Sequence, residues 1–172
     1  VENLTLVGSA VRGIGNGLAN RSVGNANVNL LIGGGGDDTY VVDQEADAIT
    51  EVAGQGVDTV VSSAERYTLG ANVENLTLAE GAARVAIGNS LANTLTGNSS
   101  DNVLDGGANA DVMLGGMGGD TYVVDNAGDV VTEALDSGLD TVRSSLAGYT
   151  LGANVENGQL TGAALAMTGN DL

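Results

Sequence analysis

Cysteine and histidine are absent from the 172 residues, and so are lysine, proline, tryptophan and phenylalanine. Without Cys there is no disulfide to staple the chain, so stability outside a cell needs another crosslink, for which bound metal is the obvious candidate. Without His, Cys or Lys the usual general bases and activated nucleophiles are missing. A catalytic centre is then hard to build, and an acidic dyad is the option that remains. The same gap disfavours zinc and copper. The glycine runs at Gly33 and Gly115 cannot be P-loops, which require a following Lys. No run of about 18 apolar residues spans a membrane, and the first residues do not form a signal peptide. The opening VENLTL starts in mid-pattern and reads as a piece of something longer.

Positive charge is scarce too: five basic residues, all Arg, face 22 acidic ones, for a net charge of −17. Nucleic acid and anionic membrane both need clustered positive charge and are excluded as partners, which leaves cations. Acidity with only 2% aromatics would suit a disordered chain. However, 42% of the residues are hydrophobic, in short β-branched or Leu-containing runs, so the chain is expected to fold under the right ionic conditions.

What is present is repetition at two scales. VENLTL begins at Val1 and Val73, and VENGQL at Val155; the stretch from Gly36 to Asn72 has an equal-length relative from Gly118 to Asn154. This divides the chain into a long unit over 1–72, a second over 73–154 and the truncated start of a third over 155–172. Inside each unit runs a nine-residue period. It is clearest as GNSLANTLT from Gly88, GNSSDNVLD from Gly97, GGANADVML from Gly106 and GGMGGDTYV from Gly115. The first unit has GNGLANRSV from Gly15, GNANVNLLI from Gly24 and GGGGDDTYV from Gly33.

Each block has six turn-forming residues followed by three that make a short strand with its middle residue inward. The expected fold is therefore all-β, a parallel β-roll or solenoid of turn, strand, turn, strand around a thin core. Two blocks make one coil, so sixth-place residues of alternate blocks stack at about 4.8 Å. The predicted ladders are Asn20, Asp38 and Asp58; Asn29 and Asp47; Asn93, Asp111 and Asp129; and Asn102, Asp120 and Asp140. Two carboxylates about 5 Å apart repel by roughly 3 kcal/mol at an effective dielectric near 20, and a shared dication reverses the sign. Calcium suits the inventory because it takes six to eight hard oxygens in flexible geometry. The candidate ligands are the side chains of Asp38, Asp47, Asp58, Asp111, Asp120, Asp129 and Asp140. Backbone carbonyls are added from the turn glycines Gly33, Gly34, Gly36, Gly106, Gly107, Gly115, Gly116 and Gly118.

GGANADVML and GGMGGDTYV resemble the hemolysin-type calcium-binding nonapeptide GGxGxDxUx of RTX proteins. The resemblance runs along nearly the whole chain. It implies a parallel β-roll, calcium held between successive turns, and type I secretion of a longer bacterial polypeptide. Where Asn replaces Asp, at Asn20, Asn29, Asn93 and Asn102, the coils are expected to stack without metal, with calcium concentrated where Asp faces Asp.

Further expectations follow from the same pattern. The second unit holds one block more than the first, which is half a coil, so equivalent segments should face opposite sides of a continuous roll. VENLTL fits the block poorly, and a break or change of register is expected there. Asp43, Asp125, Glu51 and Glu133 recur but read equally well as solvated surface. Tyr40 and Tyr122 fall at buried strand centres, while Tyr67 and Tyr149 are left open. The functional expectation is a non-enzymatic, calcium-stiffened spacer, surface-layer element, filament or adhesin stalk, secreted and folded by calcium outside the cell. The alternative is a calcium-binding accessory domain of an exported protease, lipase or epimerase. Its partners would be calcium and neighbouring repeats, including self-assembly into filaments.

Overall fold

A computed structural model of the chain describes residues 2–135 and 137–171. Among them, all regular structure is β, in nineteen short strands joined by turns. The pairing is parallel throughout, and alternate strands go to alternate sides. One side is an eight-stranded sheet of Asn3–Thr5, Arg21–Val23, Thr39–Val42, Thr59–Ser62, Asn75–Leu78, Thr94–Thr96, Val112–Leu114 and Val130–Thr132. The other begins with Arg12–Ile14, Leu30–Ile32 and Ala48–Thr50 and resumes as a six-stranded sheet from Arg66–Thr68 to Asn157–Leu160. This is the expected solenoid: strands of three or four residues cannot bury a face alone and gain stability by stacking on the coils before and after.

The coil length is 18 residues where the nonapeptides are regular, as from Arg21 to Thr39 and from Thr94 to Val112. It stretches to 20 from Thr39 to Thr59, shrinks to 16 from Thr59 to Asn75 and is 19 from Asn75 to Thr94. These slips do not cancel the half-coil. Thr39–Val42 lies in the eight-stranded sheet and its counterpart Thr121–Val124 in the six-stranded one.

The VENLTL segment is re-registered but not broken. Asn75–Leu78 pairs on both sides, with Thr59–Ser62 and with Thr94–Thr96. The interruptions come earlier, between Ala48–Thr50 and Arg66–Thr68 and, on the other side, between Val130–Thr132 and Gly148–Thr150. Side chains bridge the gap there. The Tyr67 hydroxyl donates to Asp47 O at 2.9 Å, Asn72 Nδ2 to Glu51 O at 3.0 Å and Asn154 Nδ2 to Glu133 O at 3.1 Å.

The core is one inward residue per strand, including Leu31, Tyr40, Val60, Leu76, Leu95, Leu104, Met113, Tyr122 and Val142, all fully buried. Each such side chain contributes about 1.5–3 kcal/mol of burial. Four-residue strands other than the exposed Asn157–Leu160 add a second inward residue, which is how Leu76 and Leu78 both become buried. Tyr67 is core, and Tyr149 packs half-buried against it.

Candidate metal centres

The sixth place of each block sits just before its strand, where the turn closes onto the coil beneath. Asp at this place uses one carboxylate oxygen for stacking. Asp38 Oδ1 accepts from Asn20 N at 2.6 Å, Asp58 Oδ1 from Asp38 N at 2.8 Å and Asp111 Oδ1 from Asn93 N at 2.7 Å. On the other side Asp47 Oδ1 accepts from Asn29 N, Asp120 Oδ1 from Asn102 N and Asp140 Oδ1 from Asp120 N. The ladders continue further than the nonapeptide frame indicates. Glu74 Oε2 accepts from Asp58 N and Glu156 Oε2 from Asp140 N, both at 2.8 Å, so the Glu of VEN takes the ladder place. Its extra methylene suits the shortened coil.

The second carboxylate oxygen separates the aspartates into two kinds. In Asp47 and Asp129 it is held locally: Asp47 Oδ2 accepts from the amides of Asp43 and Gln44, and Asp129 Oδ2 from those of Asp125 and Asn126. In Asp38, Asp111 and Asp120 Oδ2 is buried and has no hydrogen-bond partner. A buried carboxylate oxygen without a partner costs several kcal/mol unless it is protonated or meets a cation.

Two of these three aspartates lie in carboxylate triads. Asp38, Glu51 and Asp58 bring oxygens within 4.8 Å of one another, and so do Asp120, Glu133 and Asp140. The two triads are equivalent in the two long units, on opposite sides of the roll. Glu51 is buried and Glu133 half-buried, which corrects the solvated reading of both. Each is oriented from the core: the Tyr40 hydroxyl donates to Glu51 Oε1, and the Tyr122 hydroxyl to Glu133 Oε1. Asp43 and Asp125 are exposed.

Burial, reinforced by the crowding of like charge, raises the proton affinity of these groups. The Glu51 carboxyl is pushed up to about 7 by desolvation and then by Asp58 and Asp38. Asp58 rises to about 6 and Asp120 to about 7, each mainly through desolvation. Asp38, Glu133 and Asp140 are raised from the same leading cause. Asp111 rises to about 6, with Asp129, Asp125 and Asp105 as its charged neighbours.

The glycines define the space. A Cβ on Gly33 would collide with Asp38 Oδ2, Glu51 Oε1 and the Tyr40 hydroxyl, and one on Gly115 with Asp120 Oδ2 and the Tyr122 hydroxyl. Gly106 is equally close to Asp111 Oδ2. Gly34, Gly36, Gly107, Gly116 and Gly118 have positive φ and lie against backbone of the coil beneath, an approach open to glycine alone. The eight turn glycines just named and Asp38, Asp111 and Asp120 of the three GG-initiated blocks, with Asp58 and Asp140 from the following coils, thus line inter-coil turns.

The donor set is wholly oxygen, carries three carboxylates per triad and leaves a buried lone pair without a hydrogen. It fits a hard divalent cation such as calcium and has nothing to offer zinc or copper. No curated protein and no solved structure matches the chain. The family profile of the RTX calcium-binding nonapeptide repeat (four copies) matches residues 14–49 and 87–122, under half of the sequence. The first match contains Asp38 and Asp47 and the second contains Asp111 and Asp120, while Glu51, Asp58, Glu133 and Asp140 lie just beyond them. These two stretches carry the RTX calcium-binding nonapeptide repeat.

Proposed function

We propose that this chain is a non-catalytic, calcium-folded section of an exported bacterial protein, serving as a rigid spacer or stalk. Asp38, Glu51 and Asp58 would hold one calcium ion and Asp120, Glu133 and Asp140 another, with turn carbonyls completing each shell. The segments 1–72, 73–154 and 155–172 are read as successive units of a single roll. The observation that carries this reading is the pair of buried carboxylate triads with an unpartnered oxygen in each. Ionised and without a cation, such triads oppose folding; bound to calcium, they crosslink adjacent coils. RTX repeats are typical of secreted bacterial proteins, and calcium abundant outside the cell would complete the fold after export. Among the described residues no helix is long and apolar enough to cross a membrane.

Circular dichroism of the chain in chelator and in excess calcium tests the proposal. Strand signal and a cooperative melt that strengthen with calcium are expected. Identical spectra and identical melts in the two conditions would overturn it.

A further inference from the structure

The nonapeptides with Asn in the sixth place differ at a second position. In all four (from Gly15, Gly24, Gly88 and Gly97) the second residue is also Asn, whereas in the three GG-initiated blocks (from Gly33, Gly106 and Gly115), which have Asp in the sixth place, it is Gly. The geometry explains the pairing. In the Asn turns the sixth-place Oδ1 accepts the backbone N–H of the second residue: Asn16 N to Asn20, Asn25 N to Asn29, Asn89 N to Asn93 and Asn98 N to Asn102, at 2.7–2.8 Å. In the Asp turns the matching oxygens include the unpartnered Oδ2 atoms.

The second-place amide then reaches down to the previous coil. Asn89 Nδ2 donates to Gly70 O at 2.7 Å and Val73 O at 2.8 Å, and Asn98 Nδ2 to Ala79 O at 2.8 Å and Ala83 O at 3.0 Å. Asn25 Nδ2 does the same with Gly8 O and Ala10 O. One NH2 group thus draws together two turn carbonyls of the neighbouring coil, the type of oxygen a calcium ion would gather. Arg84, in the sixth-place position of the irregular block from Ala79, is a variation with a fixed cation: its Nη1 donates to Gly81 O at 2.7 Å and Ala83 O at 2.9 Å.

We propose that the second residue of each nonapeptide decides whether its turn takes calcium. Asn there makes a turn closed by its own amide, whereas Gly leaves a turn open for an ion. The roll is accordingly a mixed stack, with metal-free Asn coils supporting calcium-dependent Asp coils. This rests on the calcium reading of the Asp turns.

The test is calorimetric calcium titration of the full chain against variants in the turn from Gly88. Asn89→Gly with Asn93→Asp frees Gly70 O and Val73 O and sets a carboxylate between Glu74 and Asp111. This double variant is expected to bind one more calcium than wild type, and Asn93→Asp alone no more than wild type. The proposal is overturned if the double variant binds no extra ion, or if the single change adds as much as the double. Should the double variant fail to fold in calcium, Asn16→Gly with Asn20→Asp below Asp38 replaces it, and failure of both to fold also overturns the proposal. Absence of calcium binding by wild type would instead refute the underlying calcium reading.

Discussion

Replacing Glu51 with Gln should stabilise the chain in chelator and destabilise it in calcium. The Gln side chain keeps the shape and an oxygen to accept the Tyr40 hydroxyl, so what changes is one charge. In the triad, oxygens within 4.8 Å repel by about 3 kcal/mol per pair at an effective dielectric near 20, and Glu51 takes part in two pairs. The full gain of about 6 kcal/mol is not available at neutral pH, because Glu51 and Asp58, with carboxyls pushed to about 7 and about 6, already shed part of the charge by binding protons. With solvent screening, about 2 kcal/mol remains, or roughly 4–8 °C in the melting temperature of a chain this size. In saturating calcium the same change removes a charged ligand, and a tenfold loss of affinity would cost about 1.4 kcal/mol. Thermal melts of wild type and Glu51→Gln, each in chelator and in calcium, give the answer. A variant weaker in both conditions would mean that Glu51 is only a partner for Tyr40, and equal melts in both would mean that the triad carries no electrostatic cost.

Acidification should stabilise the chelated chain. The triad carboxyls have folded pKa values raised above their ordinary 3.8 and 4.5, so the folded state holds more protons and its stability is lost as pH rises through about 6 to 7. A chelated melt that is lower at pH 5 than at pH 8 would contradict this. Asp47→Asn should cost about 1 kcal/mol by disturbing the amide bonds to Asp43 and Gln44, yet leave the calcium count unchanged in a titration. Gly33→Ala should abolish one calcium site because its Cβ falls among Asp38, Glu51 and Tyr40, whereas Gly17→Ala, with open space around it, should leave binding intact.

The coil was legible in the sequence because a nine-residue period fixes both the inward strand centre and the turn before it, and Leu95, Leu104, Met113 and Tyr122 took the places that period gave them. Even the half-coil offset could be read, from a difference of one block. The third member of each triad was not. Glu51 and Glu133 stand where the period slips, so no spacing rule assigns them a direction. The available signal was that each lies eleven residues after a buried Tyr, Tyr40 or Tyr122, in both units. Glu74 was hidden by a shortened coil that only a longer side chain could bridge. The Asn–Asn and Gly–Asp pairing was visible in the letters, but its meaning depended on the amide of Asn89 or Asn98 crossing to the next coil, a contact between turns that are distant in sequence.

A crystal structure of the chain grown in calcium, with anomalous difference density to locate the ions, bears most directly on the central claim. The account predicts one ion among Asp38, Glu51 and Asp58 and another among Asp120, Glu133 and Asp140, on opposite sides of the roll. Carboxylates turned outward to solvent, with no anomalous peak at either triad, would contradict it.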